Sequence, residues 1–168
     1  LVAHPSVQAL QAAGGTPSAR SELTQRLRAG ELLTETVLDD ELDMIRDQFR
    51  RFTTQEITPH AHRWHLADEL IPDALIARLA ELGVFGICIP AEYGGMGLGK
   101  RAMCIVTEEL SRGWIAAGSL GTRSEIAGEL IAANGTLEQK ARRLPRIASG
   151  AVVPTAGFTE PDTRADLA

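Results

Sequence analysis

Several groups of residues in this sequence are of types that carry chemistry. His60, His62 and His65 lie close together, and imidazole nitrogens are common zinc ligands. On a helix His62 and His65 share a face while His60 and His62 do not. Asp68 and Glu69 are the only nearby acids and no cysteine is close, so the expectation is a solvated segment after Pro59 rather than a metal centre. A glycine loop, Tyr93-Gly94-Gly95-Met96-Gly97-Leu98-Gly99, follows Pro90. Loop amides before a helix can hold an anion, but the spacing fits neither the dinucleotide fingerprint nor the P-loop. A tight turn at positive φ is the simpler use of these glycines. Glu108 and Glu109 are adjacent, so on a helix they diverge and cannot face each other as an acid–base pair; both are expected as surface charge. Cys88 and Cys104, the only cysteines, sit in apolar stretches and are expected as buried free thiols of a reducing compartment. Trp64 and Trp114 are expected as packing anchors. No Ser-His-Asp or Cys-His arrangement follows from spacing.

The elements that must position these residues are mainly helical. The 168 residues, 44% apolar and 23% charged, suffice for one domain with a core. A net charge of -5 and a pI near 5.4 argue against a nucleic-acid binder. No apolar run reaches membrane-span length and no signal peptide opens the chain, so a cytoplasmic location is expected; the first residue, Leu1, suggests a start inside a longer reading frame. Residues 1–30 are weakly patterned, with one short helix expected over Ser18–Leu27, and read as a linker or extension. Leu42, Ile45, Phe49 and Phe52 recur at helical spacing, capped by Asp39 or Asp40 and ended near Ile57 by Pro59. A second helix is expected over Asp73–Leu82, with Pro72 before it and Gly83 after it. The apolar run Val84–Ile89 and the glycine loop follow, then helices over 100–112 and 115–133. Thr136-Leu137-Glu138-Gln139 fits a capping box, opening a helix that should stop at Pro145. From Ala151 the pattern reads as extended chain. Five helices and one strand predict a helical domain leading into a β domain.

Short motifs in order carry a stronger signal. Leu82-Gly83-Val84-Phe85-Gly86, Ile89-Pro90-Ala91-Glu92-Tyr93-Gly94-Gly95-Met96-Gly97, Glu108-Glu109-Leu110-Ser111-Arg112, Gly135-Thr136-Leu137-Glu138-Gln139-Lys140 with Leu144-Pro145, and Phe158-Thr159-Glu160-Pro161 together resemble segments of the acyl-CoA dehydrogenase family over residues 38–168. The stretch Gly118–Ile126, the His60–His65 segment and the upstream extension are most similar to its methylsuccinyl-CoA branch, which acts on a branched dicarboxylic thioester.

The resemblance implies a mainly α chain: the N-terminal helical-bundle domain of the acyl-CoA dehydrogenase fold, ending in the first strand of the middle β domain. The implied divisions are 1–37 as extension, 38–150 as helical domain and 151–168 as the start of the β domain. It implies FAD as cofactor, an acyl-CoA substrate, an electron-transferring flavoprotein as electron acceptor and a homo-oligomer. Phe158 and Thr159 match residues that flank the flavin ring. The helix after Gly118 matches the floor of the acyl pocket, which makes Thr122 and Arg123 candidate substrate contacts, with Arg123 facing a distal carboxylate. The base glutamate is expected beyond residue 168. Arg164 and Ala165 depart from the family pattern, where a glycine and a serine are expected. The isolated chain, holding one edge of the flavin site, is expected to bind FAD poorly and to be inactive alone. A non-catalytic helical interaction module, or degenerate paralogue, is the alternative at this point.

Overall fold

In the computed structural model, which describes residues 4–30, 38–155 and 157, the first elements are α1 (Pro5–Gly14) and α2 (Pro17–Arg28). The sequence predicts only part of α2. Helix α1 forms although it lacks a clear apolar stripe, because Ala9, Ala12, Ala13 and Leu10 are strong helix formers. The Thr16 hydroxyl caps α2 by accepting from the Ala19 amide at 3.2 Å. Both helices lie in one contact unit, Leu1–Val37, and the rest of the chain forms another, Leu38–Ala168.

The second unit opens with α3 (Asp40–Phe52). The Asp39 carboxylate accepts from the Leu42 amide at 3.0 Å, and Leu42, Phe49 and Phe52 are buried as the spacing predicts. The helical path does not end at Pro59. A π-turn, Thr53–Ile57, widens the helix, and the Thr58 hydroxyl donates to the Thr53 carbonyl at 3.1 Å. The wide turn absorbs the backbone defect, and Pro59 then sits in the first turn of α4 (Thr58–Leu66), where its missing N–H is harmless. The histidine segment is therefore helix, not irregular chain.

Next come α5 (Asp73–Glu81), two short 3₁₀ turns at Val84–Gly86 and Ala91–Tyr93, α6 (Gly99–Gly113), α7 (Ile115–Asn134) and α8 (Leu137–Ala148). The predicted capping box opens α8, with the Gln139 amide on the Thr136 hydroxyl and the Thr136 amide on the Gln139 side chain. Pro145 lies inside α8 rather than at its end. Leu144, Ile147 and Ala148 on either side are buried with Ile89, and this packing outweighs the missing hydrogen bond. Beyond Gly150 the chain bends at Ala151 and the Val152 amide donates back to the Arg146 carbonyl at 3.0 Å; among the described residues no strand forms.

The core joins α3, α5, α6 and α7 around the segment Val84–Ile87, whose Val84, Phe85 and Ile87 are almost fully buried. Each such side chain contributes about 1.5–3 kcal/mol. Among the described residues no helix is long and apolar enough to cross a membrane. The two thiols depart from expectation: Cys88 is half-buried and Cys104 is exposed on α6, since Cys104 falls off the apolar face defined by Ala102, Met103, Ile105 and Val106.

Candidate functional site

Helix α7 turns its small residues inward. A Cβ on Gly118 would meet the Ser111 hydroxyl oxygen at 1.9 Å, one on Gly121 would meet Val84 at 3.0 Å, and one on Gly128 would meet Ile89 at 3.3 Å. Glycine here lets α7 lie close on α6 and the Val84–Ile89 segment. Leu120 is buried beside these glycines, whereas Ile115, Ile126 and Leu130 point outward and are exposed. With Ser119 and Thr122 between them they form one line along the helix. The two hydroxyls are held by their own helix, Ser119 donating to the Ala116 carbonyl at 2.8 Å and Thr122 to the Ser119 carbonyl at 2.9 Å.

Thr122 is half-buried on that line. Arg123, one position on, is exposed and makes no hydrogen bond or ion pair among the described residues. Thr122 thus lies on the apolar line, and Arg123, about 100° further round the helix, lies at its solvent-exposed edge. Phe158 and Thr159, the candidate flavin contacts, lie outside the described residues, as do Arg164 and Ala165.

The end of α6 is tied to α3 and the π-turn by a charge cluster that the adjacent glutamates do not by themselves reveal. Glu108 is exposed as expected, but Glu109 is only 2% exposed. Arg50 of α3 donates to both its carboxylate oxygens, at 2.6 and 3.1 Å to Oε1 and 3.2 Å to Oε2. Arg112 adds a bond at 3.1 Å and also reaches the Thr54 hydroxyl at 3.1 Å. Burial pushes the Glu109 pKa up, but the hydrogen bonds from Arg50 and Arg112 outweigh it and leave the carboxyl below its ordinary value. Bonding to Glu109 raises Arg50 in turn. The signal was present: Glu109 follows Val106 by three positions and Ala102 by seven, which places it on the buried face of α6.

The glycine loop resolves as a turn. Gly94, Gly97 and Gly99 have φ of 80°, 66° and 79°. The amides of Met96, Gly97 and Leu98 donate to the carbonyls of Gly86, Ile89 and Ile87 at 2.8, 3.0 and 2.9 Å. With those donors engaged by protein, the loop forms no anion cradle. The histidines diverge: His60 packs on Trp64 at a ring separation of 5.3 Å, and Trp64 on Trp114 at 5.2 Å, whereas His62 and His65 line a cleft beside Ser111. Among the described residues no group of three or more His, Cys, Asp or Glu side chains is placed to hold a metal.

Residues 39–151 match the family model described as acyl-CoA dehydrogenase, N-terminal domain. The chain is 55% identical to the (2S)-methylsuccinyl-CoA dehydrogenase of Cereibacter sphaeroides over 98% of its own length and 31% of that protein. Its fold is similar to glutaryl-CoA dehydrogenase from Mycobacterium smegmatis, with a TM-score of 0.68 and 35% identity over 75% of this chain and 33% of that one. A chain from a structure described as the electron transferring flavoprotein of Acidaminococcus fermentans matches equally, with a TM-score of 0.68 and 32% identity over 77% and 34%. The chain therefore spans about a third of the length of the relatives it matches.

Proposed function

Since the chain belongs to the acyl-CoA dehydrogenase family, we propose that it supplies the N-terminal helical domain of an enzyme that removes an α and a β hydrogen from an acyl-CoA thioester. The substrate is methylsuccinyl-CoA and the product mesaconyl-CoA. The observation that carries this choice is the 55% identity to a methylsuccinyl-CoA dehydrogenase, extending over the α1–α2 region as well as the helical domain. In this reading residues 1–37 are an extension, 38–150 the helical domain and 151–168 the start of a middle β domain.

The outward line of α7 forms the floor of the acyl site. Ile126 and Leu130 supply apolar surface, Thr122 a polar edge, and Arg123 pairs with the distal carboxylate of the dicarboxylic substrate. These residues bind, orient and exclude water; they hold no proton for the reaction. FAD is the cofactor this reading implies, and when bound it accepts the β hydride. The described residues offer no cradle for it, because the loop amides are engaged by carbonyls, and the chain's contribution to flavin binding is assigned to Phe158 and Thr159. An electron-transferring flavoprotein is the electron acceptor, a reading supported by the description of one structural neighbour. A homo-oligomer in the cytoplasm completes the proposal; the two free thiols fit the reducing compartment.

The test is turnover of methylsuccinyl-CoA by the protein expressed from its whole reading frame, with an artificial electron acceptor. Flavin-loaded protein that forms no mesaconyl-CoA would end the proposal. In that protein Arg123→Ala is expected to lower kcat/KM for methylsuccinyl-CoA relative to butyryl-CoA by about tenfold, the worth of one charge-assisted hydrogen bond. An unchanged preference removes Arg123 from the site.

A further inference from the structure

A cavity of about 190 Å³ lies between the Cys88–Pro90 segment and the C-terminal half of α7. Cys88, Ile89, Gly128 and Ala132 wall it, and Gly128 keeps it open, because a side chain there would press on Ile89. Sites for cofactors and drug-sized ligands run to roughly 300–1,000 Å³, so this slot has room for one side chain and not for a nucleotide or acyl-CoA. It is also separate from the outward line of α7: neither Thr122 nor Arg123 lines it.

Its mouth is acidic. Lys100 pairs with Glu129 and lies 3.6 Å from Glu125, so two carboxylates face one cation. The cation is out in solvent, whereas the Glu125 side chain is only 14% exposed. A contact of 3.6 Å is longer than a hydrogen bond. Among the described residues that line the slot, Lys100 is the one cation set against these two carboxylates, which leaves the rim with a net negative charge. The thiol at the wall senses the same charge: burial first, and then Glu125, push the Cys88 pKa up to about 11. Cys88 thus stays neutral and presents an apolar surface. An apolar slot with an acidic rim is complementary to a group with an aliphatic stem and a cationic head, which among side chains means Lys or Arg.

We propose that this slot receives one basic side chain of a partner polypeptide, its stem against Cys88, Ile89 and Ala132 and its head on Glu125 and Glu129. The proposal goes beyond the dehydrogenase reading and does not depend on it.

The test uses the full chain, isotope-labelled, with amide shifts of Cys88 and Gly128 as readout. Three probes share one stem: n-butylguanidinium, n-butanol and n-butyrate. A pentapeptide with a central arginine is compared with its norleucine counterpart. Saturable shifts are expected with n-butylguanidinium and with the arginine peptide, about tenfold weaker binding with n-butanol and the norleucine peptide, and none with n-butyrate. The Glu125→Gln, Glu129→Gln double variant, which keeps the side-chain shapes, is expected to weaken the cation about tenfold. Ala132→Leu fills the slot and is expected to abolish the shifts, with far-UV circular dichroism confirming that both variants fold. Equal binding of n-butanol, insensitivity to the double variant, or absence of saturable shifts overturns the proposal. Binding of the small cation without the arginine peptide also overturns it, since the site would then serve a free amine.

Discussion

Glu109 illustrates how a side chain of one type takes two roles in adjacent positions. Glu108 is solvated, while Glu109 is buried and held by Arg50 and Arg112. Glu109→Gln removes the charge and sets an amide NH2 where one acceptor oxygen stood, but each guanidinium is about half exposed and recovers water. Glu109→Gln is therefore expected to cost roughly 1–3 kcal/mol in urea unfolding, below the full value for a wholly buried pair. Glu108→Gln is expected to stay within about 0.5 kcal/mol. Because the folded Glu109 pKa is depressed, its stabilisation is present above the ordinary carboxylate value of about 4.3 and lost as pH falls through the lower folded value. The difference between wild type and Glu109→Gln should be flat above about pH 5 and shrink below about pH 4. A difference that stays constant to pH 2 would count against the pair. The sequence placed Arg112 one helical turn from Glu109. Nothing local revealed Arg50, because that partner arrives only when α3 packs on α6.

The helices themselves were largely legible where an apolar stripe, a cap or a glycine marked them, as in α3, α5 and α8. Proline, locally a stop signal, misleads twice: Pro59 opens α4 behind a π-turn and Pro145 is carried inside α8. In both places tertiary contacts, through Ile57 and Trp64 or through Leu144 and Ile147, outweigh a local rule. Helix α7 is legible as a helical stretch after Gly113, but its orientation is hidden because, Leu120 apart, its inward face is made of glycine, serine and alanine. That geometry is testable at Gly118. Alanine is a better helix former by about 1 kcal/mol, yet a Cβ there would meet the Ser111 hydroxyl oxygen at 1.9 Å and its backbone nitrogen at 2.9 Å. Gly118→Ala is expected to destabilise by about 1–3 kcal/mol. Ser111→Ala added to it should recover only part, since the backbone contact remains. A Gly118→Ala protein as stable as wild type would mean that α6 and α7 are not packed this closely.

At the scale of the molecule, family membership was readable because it rests on several ordered motifs, each needing few residues. The site was less so: Thr122 and Arg123 are consecutive on α7 and point in different directions, and the residues matched to the flavin lie outside the described part of the chain. What the whole chain does show is where its buried surface lies. Among the described residues every buried hydrophobic side chain falls between Leu42 and Ala148, and α2 has none. The chain divides into the units Leu1–Val37 and Leu38–Ala168. The helical domain should therefore hold its fold without the first 37 residues. A chain beginning at Leu38 is expected to unfold in urea with the same midpoint, within about 0.5 kcal/mol, because no described core residue has been removed. Its urea m-value should fall only by the little surface that a two-helix unit hides. A loss of more than about 1 kcal/mol would show that residues 1–37 bury part of the second unit, and the two would then have to be treated as one cooperative body.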